Sequence, residues 1–212
     1  AHLLTDAHID HIDLDIWSHF PNVSLVLHDA WLLGSHSPAD TLLKAEELSI
    51  ACNALQLIGG NYELTALDLS NASLSIASNS NGWNTQVWDA SDGDSEGEQF
   101  AIEQLVLMDV QIKVDAQEVA VDEATLQLDW TETGLMSNGS GRCASLSTME
   151  FTTTNPLTWS AELDWNTDED TINVSVSSLN WAGLEAEFRA TRNALWSVEG
   201  TVESSTLAAL RE

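Results

Sequence analysis

"LVLHDAWL" at residues 25–32, "LDLSNASL" at 67–74 and "LVLMDVQI" at 105–112 share one pattern, in which apolar and polar residues alternate and then slip by one position. Alternation with a period of two is typical of a β-strand that is buried on one face. The slip falls at Asp29, Asn71 and Asp109. A β-bulge supplies such an extra residue, which bends the strand and returns its apolar side chains to the same face. The three copies therefore predict a curved sheet.

The rest of the chain supports a β-rich fold. Alternation recurs in "TLQLDW" at 125–130, "LTWSAELDW" at 157–165, "TINVSV" at 171–176 and "LEAEFRA" at 184–190. A short helix is predicted in "ACNALQLIGG" at 51–60 and another turn or two after Pro38, while loops are predicted around Gly82 and at 89–99, 137–141 and 166–170. The predicted fold is mainly β: a long twisted, bulged, mostly antiparallel sheet, curved into an open trough, with one or two short helices.

The charge balance excludes one class of partner. The chain has 34 acidic and 6 basic residues among its 212, a formal net charge of −28. Such a surface repels phosphate backbones, so we expect no nucleic-acid partner. The acidic residues are spread along the chain, which favours adaptation to a saline habitat over a specific cation-binding surface.

The stretch "TDAHIDHIDLD" at 5–15 is the strongest candidate for a metal site. Its His8, Asp10 and His11 are ligand types that hold zinc, but all six histidines lie within the first 36 residues. A catalytic zinc centre normally also needs ligands from distant strands. From His11 onward the stretch alternates like an ordinary strand, so we predict no metal here. The acidic loop at 89–99 does not fit the spacing of an EF-hand, and no nucleophile elbow or phosphate-binding loop is present. We therefore expect no enzyme activity and no cofactor.

Cysteine and tryptophan give weaker signals. Cys52 and Cys143 form either one bridge or two buried thiols. No apolar run approaches the ~18 residues that span a bilayer, and no basic leader precedes one, so we expect neither a signal peptide nor an anchor within this chain. Trp130, Trp159 and Trp165 alternate in phase with leucines, which predicts that they lie on the buried face; a tryptophan facing solvent would instead suit stacking on sugar rings.

Four segments in order resemble the N-terminal region of AsmA-like proteins of Gram-negative bacteria, especially those of the Bacteroidetes lineage. They are "FPNVSLVLHDAWLLG" at 20–34, "TLLKAEELSIACNALQLIGGNYELTALDLSNASLSI" at 41–76, "SNGWNTQVW" at 80–88 and "FAIEQLVLMDVQIKVDAQ" at 100–117. Positions typical of the family are occupied by Phe20, Pro21, Leu42, Leu43, Ala45, residues 55–60, Tyr62, Asn71, Ala72, Gly82 and Asn84. The resemblance covers residues 9–135, with a Trp-rich strand continuation at 136–212. The chain lacks the family's usual N-terminal transmembrane helix and is shorter than most members, so we expect a segment of a longer protein.

The resemblance implies a single AsmA-like β-trough segment over residues 1–212, related to bridge-like lipid-transfer proteins. Such a protein works in the periplasm, anchored to the inner membrane through a segment absent from this chain. It carries phospholipid or another acyl lipid on an apolar concave face, and it serves outer-membrane biogenesis or maintenance. The predicted groove residues are Leu67, Leu69, Leu105, Leu107, Leu126, Leu128, Trp130, Trp159 and Trp165. Two alternatives are an extracellular β-sandwich that binds glycans or mediates adhesion through exposed tryptophans, and a structural envelope scaffold that binds neither lipid nor glycan.

Overall fold

A computed structural model describes residues 4–16, 22–36, 40–54, 64–79, 82–87, 102–131, 133–149, 151–193 and 195–204. As predicted, the chain is mainly β. The strands are β1 (Ala7–His8), β2 (His11–Asp15), β3 (Asn22–Leu33), β4 (Thr41–Asn53), β5 (Leu64–Ile76), β6 (Ser78–Asn79), β7 (Gly82–Trp83), β8 (Gln104–Val114), β9 (Gln117–Thr131), β10 (Gly134–Ser147), β11 (Thr152–Thr153), β12 (Leu157–Asn166), β13 (Thr171–Trp181), β14 (Leu184–Arg192) and β15 (Trp196–Ser204). No helix among these residues is long and apolar enough to cross a membrane.

Thirteen strands form one sheet, and β6 pairs with β7 in a separate two-stranded sheet. The order across the large sheet is β1-β3-β4-β5-β8-β9-β10-β12-β13-β14-β15, with β2 also on β3 and β11 on β10. Among the described strands, β5 and β8 alone pair in parallel; the other pairings are antiparallel. The sheet is not closed into a barrel, because β15 at one edge pairs with β14 alone among the described strands. The predicted mostly antiparallel, open sheet is confirmed.

The predicted slip in the alternation is present at all three repeats, but both paired strands skip one residue there, so neither has the extra residue of a β-bulge. Register shifts of the bulge type lie elsewhere, for example between Leu32 and Leu33. Asp29, Asn71 and Asp109 adopt left-handed backbone conformations with φ of 50°, 47° and 54°. Asn and Asp tolerate this region better than other non-glycine residues. The slip also crosses β4, because Ala45 pairs with Ala72 and Leu48 with Leu69, a step of three residues in each strand. It crosses β9 in the same way, between Val121 and Ala124. It therefore forms a line across five neighbouring strands, β3, β4, β5, β8 and β9.

This line separates two halves of one buried cluster. Its members lie on the same face of the sheet on both sides of the slip: Ala45, Leu69, Ala72, Leu107, Val110, Val121, Ala124 and Cys143. Burial of a leucine side chain such as Leu69 or Leu107 contributes about 1.5–3 kcal/mol to folding. We call this side of the sheet the apolar face and the opposite side the polar face.

Two local predictions are wrong. The helical turn predicted after Pro38 is strand from Thr41 onward, although residues 37–39 lie outside the described residues. Leu42, the extra residue of a bulge in β4, and Ala45 are both buried. Their spacing of three residues in the sequence resembles the period of a helix. The loop predicted at 137–141 is the middle of β10. In the predicted helix at 51–60, residues 51–53 belong to β4 and only residue 54 is described as helical, while 55–60 lie outside the described residues.

The left-handed residue of the slip can be tested in β5. We expect Asn71→Val to lower the free energy of unfolding by about 1–2 kcal/mol, because a β-branched side chain is strained at positive φ. Asn71→Gly should be neutral or slightly stabilising. Ser73→Val, at the next exposed position on the same strand, is the matched control and should change stability by less than about 0.5 kcal/mol. Urea unfolding measures all three, and an equal effect of valine at both positions would contradict a special backbone requirement at Asn71.

Candidate functional site

The Cα pairings place side chains in rows that cross the sheet on the apolar face. One row contains Ile12, Leu27, Leu48, Leu69, Leu107, Ala124, Gly141, Trp159, Leu179, Ala186 and Val202. The next row contains Leu14, Leu25, Ile50, Leu67, Leu105, Leu126, Gly139, Ala161, Val176, Phe188 and Gly200. Neither row contains a charged residue. A continuous apolar strip therefore crosses the sheet from β2 to β15.

All nine predicted groove residues lie on this face. The first row holds Leu69, Leu107 and Trp159, and the second holds Leu67, Leu105 and Leu126. A third row starts with Leu128 and continues through Ser137, Leu163, Val174, Ala190 and Val198. A fourth contains Trp130, Leu135, Trp165, Ile172, Arg192 and Trp196. The structure thus brings the nine residues onto one surface, in adjacent rows rather than in a closed cavity.

The tryptophans differ in burial from the sequence prediction. Trp130, Trp159 and Trp165 lie on the apolar face, but Trp130 is 46% exposed and Trp165 39% exposed. Their row lies near the ends of β9 and β12, where fewer neighbours cover a side chain. The Trp130 indole N–H donates a hydrogen bond of 3.0 Å to the Ile102 carbonyl. Trp159 is half-buried beside the central cluster.

At two strand pairs, side-chain positions on the apolar face lie unusually close together. A Cβ built on Gly141 would lie 2.8 Å from the Cβ of Ala124, its partner on β9, and one built on Gly200 would lie 2.5 Å from the Cβ of Phe188. Partner Cβ atoms in a flat antiparallel pair are about 4.5–5.5 Å apart. Side chains on the apolar face therefore converge at these pairs, and glycine makes the close approach possible.

The polar face is built from different residues. Its rows across the middle of the sheet include Ser49, Asp68, Thr125, Ser140 and Ser160. An open groove across β9 to β14 has a mixed lining: it includes Gln127, Glu162 and Arg189, but also Leu128 and Val174 of the third row. This lining is too polar for the acyl-chain site that the sequence predicts. The apolar rows remain the candidate site.

Asn84 is a buried polar centre that the sequence does not reveal. Its side chain is fully buried. Its amide nitrogen donates to Asp40 Oδ2 and to the Ser75 carbonyl, both at 2.9 Å, and its oxygen accepts from the Ala77 N–H at 2.9 Å. These bonds attach residues 82–87 to the ends of β4 and β5, where Leu42 and Val87 are also buried. The sequence marked Asn84 only as a position of the family pattern.

The two histidines of residues 5–15, His8 and His11, take part in two separate ring contacts. His8 stacks on Trp31, with ring centroids 5.8 Å apart, and His11 stacks on His28 at the same distance. Asp13 lies between the second pair, with its carboxylate oxygens 2.9 Å from His11 Nε2 and 3.2 Å from His28 Nε2. His8 and His11 thus have separate partners, and among the described residues no group of three or more His, Cys, Asp or Glu is placed to hold a metal ion.

Both cysteines are free thiols on the apolar face. Cys143 is buried and pairs in line with Val121 and Leu157, while Cys52 is half-buried and pairs with Val23. Burial raises the pKa of both thiols; at Cys143 a hydrogen bond with Trp159 opposes this rise, and the charge of Asp122 adds to it. A raised pKa leaves less thiolate at neutral pH, so the two thiols act as small apolar side chains.

Comparison with known proteins identifies no relative: no family model, no curated protein and no solved structure matches the chain.

The buried Asn84 amide generates a prediction. We expect Asn84→Asp to lower the free energy of unfolding at pH 7 by about 2–4 kcal/mol, because it removes two donated hydrogen bonds and buries a carboxylate beside Asp40. The deficit should shrink as the pH falls towards about 4, since a protonated carboxyl can donate a hydrogen bond again and only the ionised form is penalised. Asp68→Asn, on the polar face of β5, is a control without a buried charge. Urea unfolding at several pH values measures the effect, and a deficit independent of pH would contradict the assigned contacts.

Proposed function

We propose that this protein is a non-enzymatic lipid-binding or lipid-transfer module of the bacterial envelope. It holds acyl chains on the apolar face of the sheet, in the periplasm, and contributes to outer-membrane biogenesis or maintenance. The observation that carries the proposal is the pair of uninterrupted apolar rows from β2 to β15. The resemblance to AsmA-like proteins points to the same function and remains a prediction.

The physical basis is the one-sided sheet. The described strands form one large sheet and one two-stranded sheet, so no second large sheet among them covers the apolar face. The centre of this face is buried, as at Leu69 and Leu107, but towards both edges of the sheet apolar side chains such as Leu14 and Val202 are more than half exposed. Exposed apolar surface costs free energy and marks a binding surface. Each buried methylene of an acyl chain contributes about 0.8 kcal/mol. Partitioning from water onto this face therefore supplies the affinity without any catalytic group.

The strand lengths match the ligand. β14 has nine residues and β9 has fifteen. At about 3.3 Å per residue these strands run for roughly 30–50 Å. One leaflet of a bilayer has a hydrocarbon thickness of about 15 Å, half of the ~30 Å core. An acyl chain of ordinary length therefore fits along the strands or across neighbouring rows.

The glycan-binding alternative differs in architecture from the fold. Its β-sandwich is wrong for the described strands, which form a single large sheet. The alternative also requires exposed tryptophans, and four side chains are 39–56% exposed: Trp83, Trp130, Trp165 and Trp196. Stacking on sugars by these side chains remains a prediction. A glycan array distinguishes it from lipid binding, because signal that depends on Trp165 would favour the glycan.

Position-specific photocrosslinking tests the proposal. A benzophenone amino acid is placed at Leu126 on the apolar face or at the adjacent Gln127 on the polar face, and the protein is illuminated with radiolabelled phospholipid vesicles. We expect the lipid to crosslink at position 126 and to give at least fivefold less product at 127, because neighbouring strand residues point to opposite faces.

A charged variant supplies the complementary test. Leu126→Asp should reduce bound lipid about tenfold, because burying the carboxylate under an acyl chain costs more than 1.4 kcal/mol. Thr125→Asp, one residue away on the polar face, should leave lipid binding unchanged. Equal crosslinking at positions 126 and 127, or equal lipid binding by both aspartate variants, would contradict acyl-chain binding on the apolar face.

A further inference from the structure

Within the described strands, one charged residue lies on the apolar face; the acidic Glu103 lies beside this face just before β8, where its carbonyl accepts a hydrogen bond from the Leu128 N–H. Arg192, the last residue of β14, pairs with Ile172 on β13 and Trp196 on β15 and so belongs to the fourth apolar-face row. In the described strands, the rows on this face contain no other charged residue. The chain has only six basic residues against 34 acidic ones, yet the charge on its apolar face is a basic one.

Arg192 forms no ion pair with the described residues, whereas Arg142 lies 2.9 Å from an Asp122 carboxylate oxygen on β9. Another arginine of the same strand, Arg189, lies on the polar face, where it pairs in line with Ser175 and Glu199. Arg192 is exposed at the end of its strand. Within the described part of the chain its guanidinium has no acidic partner, and the residues opposite it in the two neighbouring strands are Ile172 and Trp196.

Aromatic side chains accompany Arg192 in the same row. Trp196 is directly opposite on β15 and 56% exposed, and Trp165 is 39% exposed. An indole ring has an apolar body and a polar N–H, so it suits the boundary between hydrocarbon and headgroup. The row thus has the composition of a headgroup boundary, while the third row beside it is apolar except for Ser137.

We infer that Arg192 binds the anionic headgroup of an amphipathic lipid whose acyl chain lies on the apolar rows, and that Trp165 and Trp196 line the boundary. This inference rests on the proposed function. A guanidinium donates paired hydrogen bonds to a carboxylate or a phosphate. The nine residues of β14 extend for about 30 Å from Arg192, which is enough for the whole acyl chain. The overall charge of −28 disfavours anions at long range, so selectivity depends on this direct contact.

Three amphiphiles with the same chain test the inference: dodecanoate, dodecyl phosphate and dodecanol, titrated below their micellar concentrations and followed by tryptophan fluorescence. We expect the wild-type protein to bind at least one of the two anions about tenfold more tightly than the alcohol. Preference for the phosphate alone indicates a phospholipid headgroup, and preference for the carboxylate alone a free fatty acid.

Arginine variants on the two faces of β14 complete the test. Arg192→Gln should bring anion binding to the level of the alcohol without changing alcohol binding, and Arg192→Lys should retain part of the preference. Arg189→Gln is the matched control and should behave like wild type; circular dichroism checks that all variants keep their strand content. If Arg192→Gln keeps the anion preference while dodecanol still binds, the headgroup contact is wrong and the proposed lipid binding stands. If none of the three amphiphiles binds, both are wrong.

Discussion

A one-residue slip shared by five neighbouring strands keeps the apolar side chains of this sheet on one face. Successive residues of a strand point to opposite faces, so a single extra residue in one strand alone would turn everything beyond it to the wrong side. Here β3, β4, β5, β8 and β9 slip together, and Asp29, Asn71 and Asp109 take the left-handed conformation that the step needs in three of them. Leu69 and Ala72, on either side of the slip, therefore join one buried cluster.

The shared slip also keeps charged and apolar side chains on opposite faces of the sheet. Because the phase is preserved, strand residues such as Asp68, Glu162 and Glu199 face the polar side, where water and salt screen them. The opposite face is left mainly with Leu, Ala, Val, Gly and Trp, and strands approach closely on it at Gly141 and Gly200. A highly acidic chain can in this way present an apolar surface, and Arg192 is the charged residue that the described strands place on it.

Much of the fold can be predicted from the sequence because apolar and polar residues alternate along the strands. The repeated leucines predict the slips at Asp29, Asn71 and Asp109, and the same phase puts the nine groove residues on one face. The sequence does not show that the neighbouring strands slip at the same place, so it predicts bulges instead of a shared step. The slip in β4 and β9 is not predicted from the sequence. It falls at two consecutive acidic residues in each strand, Glu46-Glu47 and Asp122-Glu123, outside any leucine repeat. The loop predicted at 137–141 fails because glycine and serine usually mark turns, whereas here Gly139 and Gly141 allow strands to converge.

Contacts between distant residues are harder to predict. The burial of Asn84 depends on Asp40, Ser75 and Ala77, and nothing in its neighbourhood in the sequence reveals these partners. The face on which Arg192 lies could be predicted from the sequence, because Arg192 continues the alternation of Leu184, Ala186, Phe188 and Ala190. Attention to apolar residues alone misses it.

Native mass spectrometry of the protein purified from its own cells without detergent tests lipid binding most directly. If the apolar face holds acyl chains, the spectrum contains a population heavier than the polypeptide by the mass of one or more lipids. Collisional activation releases this excess mass, and organic extraction recovers it as acyl lipid. A protein that carries no lipid, and takes up none when phospholipid vesicles are added, would contradict lipid binding on this face.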